Sequence, residues 1–295
     1  MLYYISILCV SVFLLSSCDW RDMKVDKTKL IGLDIRHFQE TKAWEAAKAV
    51  DDGNTSKLKK LIEDDKTLVY SSDSIFGMTL LMHAVYRKNE KMVRVLLESG
   101  ANPNTYSDTI NNSGKNAVLI AATSSPGSIL KLLLDYGGDP NSEEKGSEDF
   151  FKRTRNDSRV PVIEASTDSY EKVRMLVNAG ADINKTTRLG EDALRSSLIF
   201  DQMDIALYLL ENGADYTRQY LSYDEKGKTF QSNILWTLRK RVFPIGSEEY
   251  NTKMQIVDFL KKRGWDYYSS PIPENIKRKI IREYPNEYEK ILEVY

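Results

Sequence analysis

One segment, an apolar stretch followed by a glycine turn, recurs along the chain and constrains its fold more than any other feature. The copies read VRVLLESGANPN (93–104), LKLLLDYGGDPN (130–141), VRMLVNAGADIN (173–184) and ALYLLENGADYT (206–217), with a degraded copy, VDFLKKRGWDYY, at 257–268. The intervals between their glycines are 37, 43, 33 and 51 residues, for Gly100, Gly137, Gly180, Gly213 and Gly264. A recurring interval of this size indicates stacked structural units, with the longer intervals containing insertions.

A second recurring segment precedes each copy and has the features of a helix N-terminus. These openings are TLLMHA (79–84), NAVLIA (116–121), VPVIEA (160–165) and DALRSS (192–197). Thr79, Asn116 and Asp192 have side chains suited to capping a helix, and Pro161 suits the first helical position. The glycines suit the left-handed residue that closes a second helix. Each unit is therefore predicted to be a pair of helices.

Openings and glycine turns together resemble the ankyrin-repeat family, whose units of about 33 residues open with T-P-L-H-x-A. This chain departs from that motif at Leu80, where proline is usual, and at Met82, where histidine is usual. The resemblance covers residues 37–268. It implies an all-α, ankyrin-repeat solenoid of about six helix-pair units with short turn or hairpin fingers. The segment 43–65 is predicted to be a polar N-terminal cap, and 269–295 to form C-terminal capping helices.

The first 18 residues carry a different signal. Residues 2–15 contain no charge, and the stretch is short for a bilayer span but typical of the hydrophobic part of an export signal. It ends in Leu15-Ser16-Ser17-Cys18, which resembles the lipobox of bacterial lipoproteins. The resemblance implies a signal peptide over 1–17, acylation of Cys18, and a lipidated N-terminus and tether over 18–36. The start of the chain contains no Lys or Arg, which departs from the lipoprotein pattern. The alternative to a signal peptide is a buried N-terminal strand or helix.

The predicted location follows from that anchor. We expect the protein in a bacterial cell envelope, on the periplasmic side, in contact with the membrane through its lipid only. Asp19 resembles the signal that keeps enterobacterial lipoproteins in the inner membrane. Initiation at Met23 would instead yield a minor cytoplasmic form that lacks the anchor but keeps every repeat.

Composition argues against several kinds of chemistry. The net charge of −1 gives no basic field for nucleic acid. The two cysteines are Cys9 and Cys18, so a processed chain has no thiol for a disulfide or a zinc site. His37 and His83 are isolated, and neither a catalytic triad nor a phosphate-binding loop stands out. We expect no enzyme activity, no cofactor and no metal.

A protein-binding surface is the better hypothesis. Ankyrin proteins generally bind through turn tips and the exposed side of each first helix. The resemblance assigns to that surface several aromatic, arginine and charged residues, types that include those dominating binding hot spots. An insertion at 142–155 adds two phenylalanines, as a finger or a disordered loop. The predicted partner-binding residues are Phe76, Met78, Tyr86, Arg87, Lys115, Phe150, Phe151, Arg159, Asp168, Arg188, Glu191 and Phe200. The alternative is that about half of them pack between repeats.

Lipid anchor and repeats together resemble immunity proteins of type VI secretion lipase and phospholipase effectors. The resemblance implies a monomer that binds such a toxic effector in a heterodimeric complex and neutralises it at the membrane. The main alternative is a periplasmic protein–protein scaffold or an envelope stress-protection protein. An enzyme or a host-directed effector fits the sequence less well.

Overall fold

A computed structural model describes residues 19–108, 113–149, 160–224 and 227–295. The chain divides into two compact units, with the boundary between Asn102 and Pro103. The repeat region expected as one domain over 37–268 therefore contains a unit boundary. The predicted fold class is confirmed, since each unit is built from ankyrin-type helix pairs.

The first unit contains two helix pairs, namely α1 (Trp44–Asp51), α2 (Thr55–Asp64), α3 (Leu80–Tyr86) and α4 (Glu90–Glu98). Helix α1 packs on α3 and α2 packs on α4, so the pairs stack in two layers. Small alanines on α1, such as Ala46 and Ala47, are fully buried and let the neighbouring helices approach closely. Thr79 caps α3 as predicted, because its hydroxyl accepts a hydrogen bond from Met82 N.

Residues 19–36, expected as a tether, are instead held on the first helix pair. They form 3-10 turns at Trp20–Asp22, Lys27–Lys29 and Ile35–Phe38, and an aspartate caps each turn. Arg21 pairs with Asp51 and Asp52 at 3.1 and 2.7 Å. Short aspartate-capped turns satisfy their own backbone amides, which lets a polar segment fold without a long helix.

The second unit contains the remaining pairs and a hairpin. Its elements are α5 (Ala117–Ser124), α6 (Gly127–Asp135), α7 (Tyr170–Asn178), α8 (Ala193–Ile199), α9 (Met203–Glu211), β1 (Tyr220–Tyr223), β2 (Thr229–Ser232), α10 (Ile234–Arg239), α11 (Glu248–Lys261), α12 (Glu274–Glu283) and α13 (Tyr288–Val294). The antiparallel strands β1 and β2 form a finger before α10. Asn116 and Asp192 cap α5 and α8, as predicted. Two C-terminal helices, α12 and α13, bury Ile276, Ile280 and Ile291 together.

One first helix is shortened. Pro161 was predicted to begin a helix, but the segment contains only the 3-10 turn Glu164–Ser166, and Pro161 forms an isolated bridge with Glu143. The hydroxyls of Ser166 and Thr167 donate to local carbonyls, at 2.8 Å to Val162 O and 3.0 Å to Glu164 O. Such side-chain bonds to the backbone compete with helix formation.

An asparagine ladder joins successive repeats of the second unit. The amide of Asn141 donates to Gly180 O at 3.2 Å, and its carbonyl accepts from Asp182 N at 2.7 Å. The same two bonds run from the preceding Asn104 and the following Asn184 to the repeat after each. Each asparagine is the last residue of a GxxxN turn, so the ladder follows from the sequence repeat itself.

No helix in the described ranges is both long enough and apolar enough to cross a membrane.

Candidate protein-binding surface

A shallow groove of about 550 Å³ runs across the ends of three successive repeats in the second unit. Its lining comes from the end of α5, the 3-10 turn and the end of α8, and comprises Thr123, Ala165, Thr167, Asp168, Phe200 and Gln202. Phe200 is 68% exposed, and Asp168 is exposed beside it. An aromatic ring next to a carboxylate on an open groove suits a protein contact better than a small ligand, which is usually enclosed.

The backbone at the end of α8 fixes the direction of Phe200. The next residue, Asp201, has a left-handed φ of 61°, a conformation that costs free energy for a residue with a side chain. Arg241 holds the turn from outside by donating to Ile199 O at 2.6 Å and pairing with Asp201 at 3.4 Å. Phe200 is therefore presented by a braced turn.

A largely buried polar network joins the 3-10 turn, the helix α8 and the β1–β2 finger. Asp192 accepts from Tyr220 Oη at 2.9 Å and pairs with Arg218 at 3.2 Å, so the finger is bonded to the start of α8. Glu164 accepts from Ser196 Oγ at 2.8 Å. Burial raises the pKa of Glu164, and nearby carboxylates, including that of Asp192, add to that effect.

Several predicted partner-binding residues lie in or near this network. Lys115 is half-buried and pairs with Glu144 at 3.2 Å. Glu191 pairs with Arg195 at 3.0 Å, and burial raises its pKa. Arg188 is exposed at a finger tip and pairs with Glu148 at 3.2 Å. For Lys115 and Glu191 the structure shows an intramolecular role, bracing the fingers.

The partner-binding residues predicted in the first unit differ in how far they are exposed. Met78 is 3% exposed, so its assignment to the partner-facing surface is corrected: it is a core residue. Its amide donates to Asp73, whose carboxylate organises the turn and draws Met78 inward. Phe76 is half-buried and packs edge-on against His37, with ring centroids 5.1 Å apart. Tyr86 is half-buried, and Arg87 is exposed and pairs with Asp51.

Four predicted site residues lie outside the described residues: the lipidation site Cys18 and the partner-binding residues Phe150, Phe151 and Arg159. Sequence reasoning missed Gln202 and Arg241. Gln202 could have been predicted to line the groove, because it follows Phe200 by two residues on the same turn. The sequence contains no local pattern that would indicate the role of Arg241, because its contact with Ile199 spans 42 residues.

Both histidines have packing roles. His83 is 2% exposed and packs edge-on against Phe38. Burial alone would raise the pKa of Asp73, but His83 and hydrogen bonds from three backbone amides lower it. His37 is fully buried, with Nε2 3.0 Å from Ile31 O. Across the described ranges, no three His, Cys, Asp or Glu side chains are grouped as metal ligands.

Comparison with known proteins identifies the repeats. Residues 45–144 match the family model for ankyrin repeats (3 copies). Relatives share the name "Ankyrin repeat, SAM and basic leucine zipper domain-containing protein 1". The protein from Ovis aries is 37% identical over 131 residues, which is 41% of this chain and 25% of the relative. Those from Oryctolagus cuniculus and Homo sapiens are 40% and 37% identical over 100 and 108 residues, or 32% and 35% of this chain and 19% and 21% of theirs.

The chain thus carries ankyrin repeats, and it spans a quarter or less of the length of these curated relatives. Ankyrin repeats are protein–protein interaction modules and generally not enzymes. The groove around Phe200 is the surface that best matches that role.

Proposed function

We propose that this protein is a lipid-anchored periplasmic immunity protein that binds and neutralises a toxic effector, a phospholipase or lipase delivered by type VI secretion. The proposal combines the interaction module with the Leu-Ser-Ser-Cys18 sequence, which would attach the module to the membrane where such an effector acts. Anchoring concentrates an inhibitor on the surface that also carries the substrate.

The observation that carries the proposal is the exposed ring of Phe200 on its braced turn, beside Asp168. An exposed aromatic ring of this kind would supply the apolar centre of a binding hot spot. Thr123 and Gln202 add polar groups at the rim of the groove. Occupying an effector's active-site entrance, or blocking motion of its lid, needs such an anchored contact.

The test is binding to, and protection from, the product of the gene next to its own. We expect the Phe200→Ala variant to bind that effector at least about tenfold more weakly, because hot-spot truncation costs about 2 kcal/mol or more. The matched control is Tyr136→Ala, which removes an aromatic ring 42% exposed at the end of α6. Titration calorimetry gives the affinity, and growth of cells that direct the effector to the periplasm gives the protection.

Equal binding by both variants would move the contact away from the groove. Absence of any binding or inhibition by the wild-type protein would reject the immunity role. A genetic locus without an adjacent effector would instead favour the periplasmic scaffold.

A further inference from the structure

Large apolar side chains are concentrated on the exposed surface of residues 20–33. Trp20 is 63% exposed, Met23 64%, Ile31 76% and Leu33 41%. In the described part of the first unit, the other exposed large apolar side chain is Tyr70. The fourteen residues 20–33 thus supply four of the five exposed large apolar side chains of this part of the chain. Exposing such a cluster of apolar side chains to water costs free energy unless another surface covers it.

The backbone that presents these side chains is fixed, not loose. Asp22 accepts from Trp44 Nε1 at 2.7 Å and from Lys48 Nζ at 2.9 Å, both on α1. Gln39 Nε2 donates to Met23 O at 2.9 Å. These bonds hold the Asp22 side chain and the Met23 carbonyl against the helix pair, while the side chains of Trp20, Met23, Ile31 and Leu33 remain exposed.

The position of this surface identifies what covers it. Cys18 precedes Trp20 by two residues, which span at most about 7 Å at about 3.6 Å each. If Cys18 carries acyl chains, Trp20 lies within reach of the headgroup layer, where tryptophan is enriched in membrane proteins. Lys24 and Lys29 are opposed by Glu40 and Asp26 at 3.8 and 3.4 Å, so apolar contact and not a basic field would carry the interaction.

We infer that residues 20–33 form a lipid-contacting surface, defined by Trp20, Met23, Ile31 and Leu33, that seats the first unit on the bilayer. The inference rests on the acylation of Cys18 in the proposed function. Residues 20–33 would then hold the first unit on the membrane surface and would not act as a flexible tether. The segment is hydrogen-bonded to α1 on one side and would insert its apolar side chains into the bilayer on the other.

Brominated-lipid quenching of tryptophan fluorescence tests this surface. The full-length lipidated protein is purified and reconstituted into phosphatidylcholine–phosphatidylglycerol vesicles with bromine near the headgroup end of the acyl chains. We expect Trp20→Phe to remove at least half of the quenching, and Trp265→Phe, in the second unit, to leave it unchanged. Ile31→Asp should lower Trp20 quenching at least twofold while the protein still floats with the vesicles, and high salt should have little effect.

Flotation with equal quenching in wild type and Trp20→Phe would overturn the lipid-contacting surface and leave the anchor intact. Shielding of Trp20 only when the effector is added would assign the surface to protein instead. A chain that does not float at all would overturn both the anchor and this surface. Quenching of Trp20 in a protein that fails to neutralise the effector would support the surface and reject the immunity role.

Discussion

A single asparagine in each of three glycine turns, at Asn104, Asn141 and Asn184, joins neighbouring repeats of the second unit. The side chain of Asn141 makes two hydrogen bonds to the next repeat, at Gly180 and Asp182. We expect Asn141→Ala to lower the free energy of unfolding by about 1–2 kcal/mol, since two hydrogen bonds of ordinary strength are lost. The measurement is urea denaturation, read as a lower midpoint with an unchanged slope.

The control for that variant is Asn212→Ala. The side-chain amide of Asn212 donates to Tyr208 O one turn earlier, within the same repeat, so its loss should cost under about 0.5 kcal/mol. Equal losses from the two variants would mean that the ladder adds no stability between repeats.

Lys253 is a buried lysine for which the described part of the chain offers no carboxylate partner. It is fully buried on α11, donates to Arg241 O at 2.9 Å and lies 3.6 Å from the ring centroid of Tyr295. Burial, with a contribution from the charge of Arg239, lowers its pKa to about 6 from an ordinary 10.5. The folded protein therefore releases a proton that the unfolded chain keeps.

The sign of the pH dependence follows from that release. Between pH 6.5 and 9.5 the unfolded chain binds more protons at this site, so its contribution to stability rises with pH, by at most about 1.4 kcal/mol per unit. We expect Lys253→Met to raise the melting temperature at pH 7 and to flatten its rise with pH. Lys262→Met, at an exposed side chain on the same chain segment, should keep the wild-type slope. A Lys253→Met slope equal to that of wild type would contradict the assignment.

At the scale of elements, one buried hydroxyl attaches the β1–β2 finger to the repeats. Tyr220 donates to Asp192, and burial raises the pKa of Tyr220 well above its usual range. We expect Tyr220→Phe to lower the free energy of unfolding by about 1.5–3 kcal/mol, as for a hydrogen bond to a charged group. Tyr223→Phe, at a position 63% exposed on the same strand, should change it little. Thermal unfolding of both variants decides whether the finger is bonded or merely adjacent.

Helix positions were largely predictable from sequence, because their signals are local. The caps at Thr79, Asn116 and Asp192 lie next to the apolar residues they precede, and the glycine turns repeat with the helices. The shortened helix after Pro161 was missed, because two hydroxyls that follow it compete for carbonyls within the same turn.

The candidate surface was less predictable, because exposure depends on distant residues. The repeat position of Phe200 predicts a partner-facing residue, and its ring is exposed, whereas the arginine that braces its turn is 40 residues away in sequence. Met78 lies before the first helix of its repeat, at the position that Glu191 has in the later repeat, and its amide donates to a carboxylate five residues earlier in a turn that buries it. Position within a repeat predicts which residues are near the surface, but not which ones face it.

At the scale of the whole molecule, the proposed lipid anchor on Cys18 would decide where the repeats act. We expect Cys18→Ala to move the protein from the detergent phase to the aqueous phase in a phase-partition assay, since stable anchoring needs the acyl chains. It should also reduce protection against the effector. Ser17→Ala, which keeps the cysteine, is the matched control, and detergent partition unaffected by Cys18→Ala would contradict lipidation.

A product initiated at Met23 would differ in more than location. It would lack Arg21 and therefore the ion pairs to Asp51 and Asp52 that hold the start of the first unit. We expect Met23→Leu to remove a smaller cytoplasmic species seen by immunoblot of fractionated cells and to leave the anchored protein unchanged. A blot without that species in the wild type would reject internal initiation.

The asparagine ladder also bears on how such a protein can diversify. Each asparagine engages the next glycine turn, so a segment inserted after that turn leaves the bridge itself in place. Intervals as different as 33 and 43 residues coexist in this chain around the same bridge. Finger length is thereby uncoupled from repeat stacking, so natural selection can lengthen and vary the fingers while the framework is inherited unaltered.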